Sequence, residues 1–263
     1  MIAQDIRVRI GRKIVLDGIG VEARAGEITA IVGPNGSGKS TLIKALTGEL
    51  AAEGRISLNG RAVGDIPGWE LAAIRGVLQQ AVTVAFPFTV REIVQLGHAA
   101  GFSAGNQEVP EKALAMMDLD GFAERFYHQL SGGEQQRVQI ARVLAQVWPE
   151  KDDDTKWLFL DEPVSSLDIG HQFTVMDRMR ALAAQGAGVI AVMHDLNLTA
   201  MYADHVILLK SGNILASGPV REVLRDEMLS EAYDCPVRVN APVPEGMPYI
   251  LPQTRLYNMH ERN

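Results

Sequence analysis

The sequence predicts an α/β fold. A mostly parallel sheet forms its core, a small antiparallel β unit precedes it, and a helical block is set into it. Three observations predict this. Continuous apolar runs at 157–160, 189–193 and 206–209 alternate with helix-patterned stretches, as in a parallel sheet covered on both faces. Residues 1–26 alternate loosely between apolar and polar, the pattern of a sheet with one wet face. Residues 86–150 show helical spacing and no strand signal.

The chain has 263 residues and is 47% apolar, enough for a core with a subdomain. A formal charge of −7 argues against a broad nucleic-acid footprint. Cys235 is the single cysteine, so no internal disulfide can form. Charges interrupt Met1-Ile2-Ala3-Gln4-Asp5-Ile6-Arg7 and no apolar region follows, so it does not read as a signal peptide. No run of 18 apolar residues occurs, so work at a membrane would need a partner to hold the chain there.

In chain order, 6–10, 14–16 and 19–23 read as short antiparallel strands, with a Gly11-Arg12 turn after the first. A buried strand at 28–32 runs into a glycine loop, and 41–46 reads as helix. Residues 55–60 read as a strand ending in a hairpin turn, 69–74 as a short helix, and 76–78 as a strand leading to Gln79-Gln80. Thr89 caps a helix with Val90, Ile93, Val94 and Gly97 on one face. A polar loop at 103–109 precedes a helix at 111–117 and a short one at 122–126. Ser131 opens a long helix with Val138, Ala141, Ala145 and Trp148 on one face. The acidic stretch 149–156 reads as a solvated connection, and 169–184 as a helix closed by Gly186. Five prolines between 236 and 252 forbid a helix and suggest an extended tail packed on the core. The expected division is 1–85, 86–150, 151–235 and 236–263: β unit with loop, helical insert, rest of the core, tail.

Gly33-Pro34-Asn35-Gly36-Ser37-Gly38-Lys39-Ser40-Thr41 fits G-x-x-x-x-G-K-[ST] between a strand and a helix, the context of a phosphate loop. Glycines let backbone N–H groups approach an anion, and the new helix aims its positive end there. Lys39 would reach the outer phosphates and the Ser40 hydroxyl would bind Mg2+. Asp161 and Glu162 end a buried strand, at the sheet edge where ligands sit. One carboxylate can hold Mg2+ while the other orients and deprotonates a water; alone, the pair could also be a helix-terminus charge feature. His194 follows another buried strand, either as a core histidine or as a contact to a terminal phosphate. Ser131-Gly132-Gly133 is either a helix cap or a second anion site.

The order of these motifs resembles an ATP-binding-cassette (ABC) nucleotide-binding subunit over nearly the whole chain. The resemblance rests on Gly33 to Thr41, Gln80, Leu130-Ser131-Gly132-Gly133-Glu134-Gln135, Leu158-Phe159-Leu160-Asp161-Glu162-Pro163, Ser165-Ser166-Leu167-Asp168 and His194. It implies the ABC ATPase fold and a head-to-tail homodimer. Two ATPs would each lie between the phosphate loop of one chain and the Ser131 helix of the other. By the same resemblance Glu162 is the catalytic base, and His194 holds the γ-phosphate. Asp161, Ser40 and Gln80 surround Mg2+, and Asp168 links the two sites. Residues after Gln80 and the helical block would receive two transmembrane permease subunits at the cytoplasmic face of the inner membrane. A periplasmic binding protein would be an indirect partner.

Phe86-Pro87-Phe88-Thr89-Val90-Arg91-Glu92-Ile93-Val94-Gln95-Leu96-Gly97, the wide gap between Trp148 and Trp157, and Gly246-Met247-Pro248-Tyr249-Ile250-Leu251-Pro252 look like the haemin-import ATPases. Iron-siderophore or cobalamin import, and a cassette ATPase on a soluble scaffold, are the alternatives.

The family often stacks adenine on an aromatic residue about two dozen positions before the loop, where this chain has Ile10. An aliphatic side chain lacks the stacking contribution, roughly 1 kcal/mol. Competition binding is therefore expected to give comparable affinities for ATP and GTP; a strong ATP preference would contradict the substitution's expected effect.

Overall fold

Strands Ile2–Ile10 (β1) and Lys13–Glu22 (β2) form an antiparallel hairpin, and Glu53–Leu58 (β4) pairs with the other edge of β1. The computed structural model describes residues 1–80, 84–99, 106–148, 154–242, 250 and 252–253. Two residues, Arg61–Ala62 (β5), complete the first sheet in the order β2-β1-β4-β5. The β4–β5 turn sits on Asn59 (φ 50°) and Gly60 (φ 78°), the two left-handed residues of a tight hairpin. The three short strands expected in 1–26 are thus two long ones. β2 continues through Asp17 and Gly18 with a shift of its register against β1, and the Asp17 N–H donates to Gly212 O at 3.2 Å.

The second sheet has six strands: Ile28–Val32 (β3), Arg75–Leu78 (β6), Trp157–Asp161 (β7), Gly188–Val192 (β8), His205–Lys210 (β9) and Asn213–Pro219 (β10). Their order is β10-β9-β3-β8-β7-β6. All neighbours are parallel except the β9–β10 hairpin. Every residue of β3, β7 and β8 is buried, because the two faces carry separate cores. Leu158, Leu160, Val189 and Ala191 pack on one side, and Trp157, Phe159, Ile190 and Val192 on the other. A Val, Leu, Ile or Phe side chain among them gains about 1.5–3 kcal/mol on burial, and Trp157 keeps its indole N–H bonded to Asn59 Oδ1 at 2.8 Å.

Helix Lys39–Leu46 (α1) follows β3 and packs with the first sheet into the second core; Gly68–Ile74 (α2) leads into β6. Between β6 and β7 the described elements are helical. Val90–His98 (α3) is held by a Thr89–Glu92 capping box, Val109–Met116 (α4) follows, and Gly132–Gln146 (α5) packs against both. Helix α4 starts at Val109, inside the stretch expected as loop, because Val109 and Pro110 are buried. Residues 122–126 are turns and not the expected helix. Their backbone is recruited by the start of α3: Arg125 O accepts from Val90 N, Ala123 O from Arg91 N, and Phe126 bridges Thr89. Trp148 lies beyond the end of α5, partly buried against the core.

Ile169–Ala184 (α6), Leu196–Tyr202 (α7), Val220–Val223 (α8) and Asp226–Tyr233 (α9) complete the α-helices among the described residues. None of these is long and apolar enough to cross a membrane. Val237 and Val239 of the tail pack on the core. The loop at 103–105, the acidic stretch at 149–153 and the tail at 243–249 lie outside the described residues.

Gly97 is where α3 meets α5: a Cβ there would lie 2.2 Å from Arg142 O. Mid-helix Gly→Ala ordinarily gains about 1 kcal/mol. Here Gly97→Ala is expected to cost about 1–3 kcal/mol by overpacking, read from urea denaturation. A raised midpoint would show that the helices can separate at no cost.

Candidate active site

The glycine loop begins where β3 stops. Gly33 has φ +144° and a Cβ there would lie 2.1 Å from Leu209 O, so only glycine fits against β9. Pro34 O accepts from Ser37 N at 3.2 Å, which closes the turn over exposed Asn35 and Gly36. Gly38, at φ +104°, is the N-cap of α1 and offers no side chain to it. The first N–H groups of α1 therefore have no partner inside the helix and face an outside acceptor. Thr41 sits half-buried in the first turn.

Lys39 is 6% exposed. Its ammonium donates to Gly33 O at 2.9 Å and Pro34 O at 3.0 Å. Burial pulls its pKa below 10.5, against the pull of Glu162 and Asp161. The Ser40 hydroxyl donates to Asp161 Oδ1 at 3.1 Å. Asp161 is 2% exposed; burial raises its pKa above 3.8, with Glu162 adding to this and the Ser40 bond opposing it. The Ser37 hydroxyl oxygen is buried with no partner.

Glu162 holds φ +55°, left-handed backbone that costs a glutamate about 1–3 kcal/mol. The bend brings its Oε1 to 2.9 Å from Gln80 Nε2, which donates to it, and 2.6 Å from His194 Nε2. Gln80, Asp161, Glu162, His194, Lys39 and Ser40 thus converge at the carboxyl ends of β6, β7, β8 and β3, although they are up to 155 positions apart in sequence.

Ser131 and Asp168 belong to other local structures in this chain. Ser131 caps α5 in a box with Glu134: its Oγ accepts from Glu134 N at 3.3 Å, and Glu134 Oε2 accepts from Ser131 N at 2.8 Å. Gly132 has open space around its Cβ direction, while Gly133 rests near Ser166 O. Asp168 caps α6 by accepting from His171 N at 2.9 Å. Ile10 is 53% exposed on the end of β1.

The donors fit a hydrated divalent cation bound together with a polyphosphate. A hydroxyl and a buried carboxylate already touch, and burial raises the pKa of that carboxylate despite the Ser40 bond. Sequence reasoning missed Gln136, whose amide reaches Glu162 O and Pro163 O at 3.4 and 3.3 Å and ties α5 to the strained turn. The signal available was a run of glutamines on a helix otherwise patterned for burial.

A cradle for a polyphosphate beside carboxylates that can handle a water belongs to the phosphate-loop nucleoside triphosphatases. More narrowly, the chain belongs to the ABC transporter family, whose model matches residues 16–165, and it is an ATP-binding, ATP-hydrolysing subunit. It is 58% identical to the Hemin import ATP-binding protein HmuV of Ruegeria sp. (strain TM1040), over 96% of this chain and 97% of that one. It is 51% identical to the protein of that name from Mesorhizobium japonicum, over 97% and 99%. Among solved structures, the ATP-binding subunit of an ABC transporter aligns with TM-score 0.76 at 25% identity, covering 89% of this chain and 97% of that one. A cassette dimer in a post-hydrolysis state with ADP and Pi aligns with TM-score 0.73 at 26% identity, covering 84% and 98%. A transporter described as of metal-chelate type, facing inward, aligns with TM-score 0.75 at 26% identity, covering 93% of each.

Because the folded pKa of Asp161 is raised, the protonated form is the one that folding favours. Its stabilising effect is present below pH 3.8 and is lost as pH rises through the raised value. At pH 7 the buried carboxylate therefore costs stability. Nucleotide-free Asp161→Asn is expected to melt above wild type at pH 7, with the gap closing as the pH is lowered towards 3.8. A gap that is constant with pH, or of opposite sign, would contradict this.

Proposed function

We propose that this chain is the energy-coupling ATPase of a bacterial haemin importer. It works as a head-to-tail pair on two permease subunits, at the cytoplasmic face of the inner membrane. The observation that carries the substrate is the 50–58% identity over nearly the full length to proteins named for haemin import. Likeness to a metal-chelate-type transporter supports the same group.

In this reading the loop amides of residues 33–41 and Lys39 hold the phosphates, and Lys39 exchanges the carbonyls of Gly33 and Pro34 for them. Ser40, Asp161 and Gln80 would hold Mg2+, which when bound neutralises phosphate charge. Glu162 takes the proton of the attacking water. Gln80 and His194, both on its Oε1 in the resting chain, orient it until His194 turns to the γ-phosphate. Ser131, Gly132 and Gly133 of the second chain close over the ATP, and Asp168 links the two sites. The division into residues 1–85, 86–150, 151–235 and 236–263 serves this cycle by letting the helical block move on the core.

A groove of about 530 Å³ between β6, α3 and α5 is lined by Gln79, Phe88, Ile93, Leu96 and Arg142, with Phe86 exposed nearby. It suits a short permease helix. The periplasmic binding protein would touch the permease and not this chain.

Glu162→Gln is expected to lower turnover by about 10²–10⁴-fold, keep ATP affinity, and accumulate an ATP-dependent dimer on size exclusion. Near-normal hydrolysis would remove Glu162 as the base. Lys39→Ala should instead weaken ATP binding itself, seen by equilibrium titration. For the transport role, the tagged chain is pulled down from solubilised host membranes. A multi-span membrane protein whose complex is stimulated by haemin is the expected result. Stimulation by a siderophore or cobalamin would move the substrate, and recovery of soluble scaffold proteins alone would overturn the importer reading.

A further inference from the structure

Helix α5 carries Gln135, Gln139, Arg142 and Gln146 at i, i+4, i+7 and i+11, one stripe along its length. At its start, Gln135 Nε2 donates to Tyr127 O at 3.1 Å and Leu130 O at 3.2 Å. Gln139 Nε2 donates to the Tyr127 hydroxyl at 3.1 Å. Arg142 Nε donates to Gln139 Oε1 at 2.9 Å, and its Nη2 donates to Val77 O on β6 at 3.3 Å. At the far end, Gln146 Nε2 donates to Ala72 O and Arg75 O at 2.8 and 3.1 Å.

Gln139 is 4% exposed and Tyr127 6%, so a broken link leaves a buried polar group unpaired. The stripe joins three places. Its middle lines the groove between β6 and α3. Through Val77 it grips the edge strand that runs on to Gln80. Through Tyr127 and Gln135 it grips the turn that ends at Ser131.

We propose that Tyr127, Gln139 and Arg142 are positioning residues: a hydrogen-bond chain, buried at Tyr127 and Gln139, that ties the strand leading to Gln80 to the helix start at Ser131, so that an occupant of the groove moves both together. This rests on the importer reading above. A stripe that only covers the edge of β6 would stabilise the fold without affecting how occupancy of the groove changes the rate.

The test uses the assembled transporter, with the membrane protein that co-purifies with the tagged chain reconstituted in nanodiscs. In the isolated chain, Tyr127→Phe is expected to leave basal ATPase activity within about twofold of wild type. In the complex it should recover the membrane protein normally yet lose about fivefold or more of the rate enhancement. Gln139→Leu, and the double variant, should show the same loss and not a sum, because both changes break the chain at the shared Tyr127–Gln139 bond. Full enhancement in Tyr127→Phe, or additive losses, would overturn the relay. If wild type recovers no membrane protein, the importer reading falls and the relay falls with it; a loss confined to the variants leaves that reading intact.

Discussion

Val192 stands between Ile31 and Asp161 in two parallel ladders, one to β3 and one to β7. That register sets the height of everything in the site. It puts the last residue of β7 level with the end of β3, where the loop departs. It also fixes which face Asp161 takes. Phe159 and Trp157, two and four residues back, lie on the side that packs with α1, so Asp161 points there too and meets Ser40. A slip of one residue would send the carboxylate to the face covered by α3 to α6 and leave Ser40 without it. The parallel pairing that allows this level edge needs long crossovers, and the helical block occupies one of them, between β6 and β7.

The resting site is set against itself. Lys39 and Asp161 are both desolvated, and burial moves each towards its neutral form: the amine downward and the acid upward. Glu162 adds backbone strain at φ +55°. The buried Ser37 hydroxyl oxygen has no partner in the chain. In the proposed reading, a polyphosphate with its cation would answer several of these costs at once, since it would bring negative charge to Lys39 and positive charge to Asp161. Stability given up in the free chain thus becomes affinity for a ligand that carries both signs.

Most of the fold was legible because its signals are local. The glycine loop between a strand and a helix, the uniformly apolar runs of β7, β8 and β9, and the capping residues Thr89 and Ser131 announce themselves within a few positions. The failures are tertiary. Residues 122–126 have helical composition, but their carbonyls are taken by Val90 and Arg91 from α3. Asp17 and Gly18 look like a break in β2, but the β9–β10 turn supplies the hydrogen bond that carries the strand through. In the site, Lys39, Ser40 and Asp161 could be read from spacing. The meeting of Gln80 and His194 on one oxygen of Glu162 could not, since it depends on three separate strand ends. The Gln135–Gln146 stripe was missed for a related reason. Glutamines on a buried helix face look like exceptions until the carbonyls they serve are in view.

The two sequence readings of Ser131, helix cap or anion site, exclude each other only if the hydroxyl alone is considered. Its Oγ takes the Glu134 N–H, the third amide of the helix, and Glu134 returns a carboxylate to the Ser131 N–H. The first two amides, those of Gly132 and Gly133, still lack partners inside the helix. Gly132 has open space on the side where a Cβ would stand. The cap therefore orders the first turn without consuming the donors an anion would use. Glu134, held in its charged form by both Ser131 bonds, sits at the same helix end and opposes a second negative charge there. An isolated α5 is consequently a poor anion site, and becomes a good one only where another surface holds the phosphate in place. In the proposed head-to-tail pair, each chain would then supply half of a binding site.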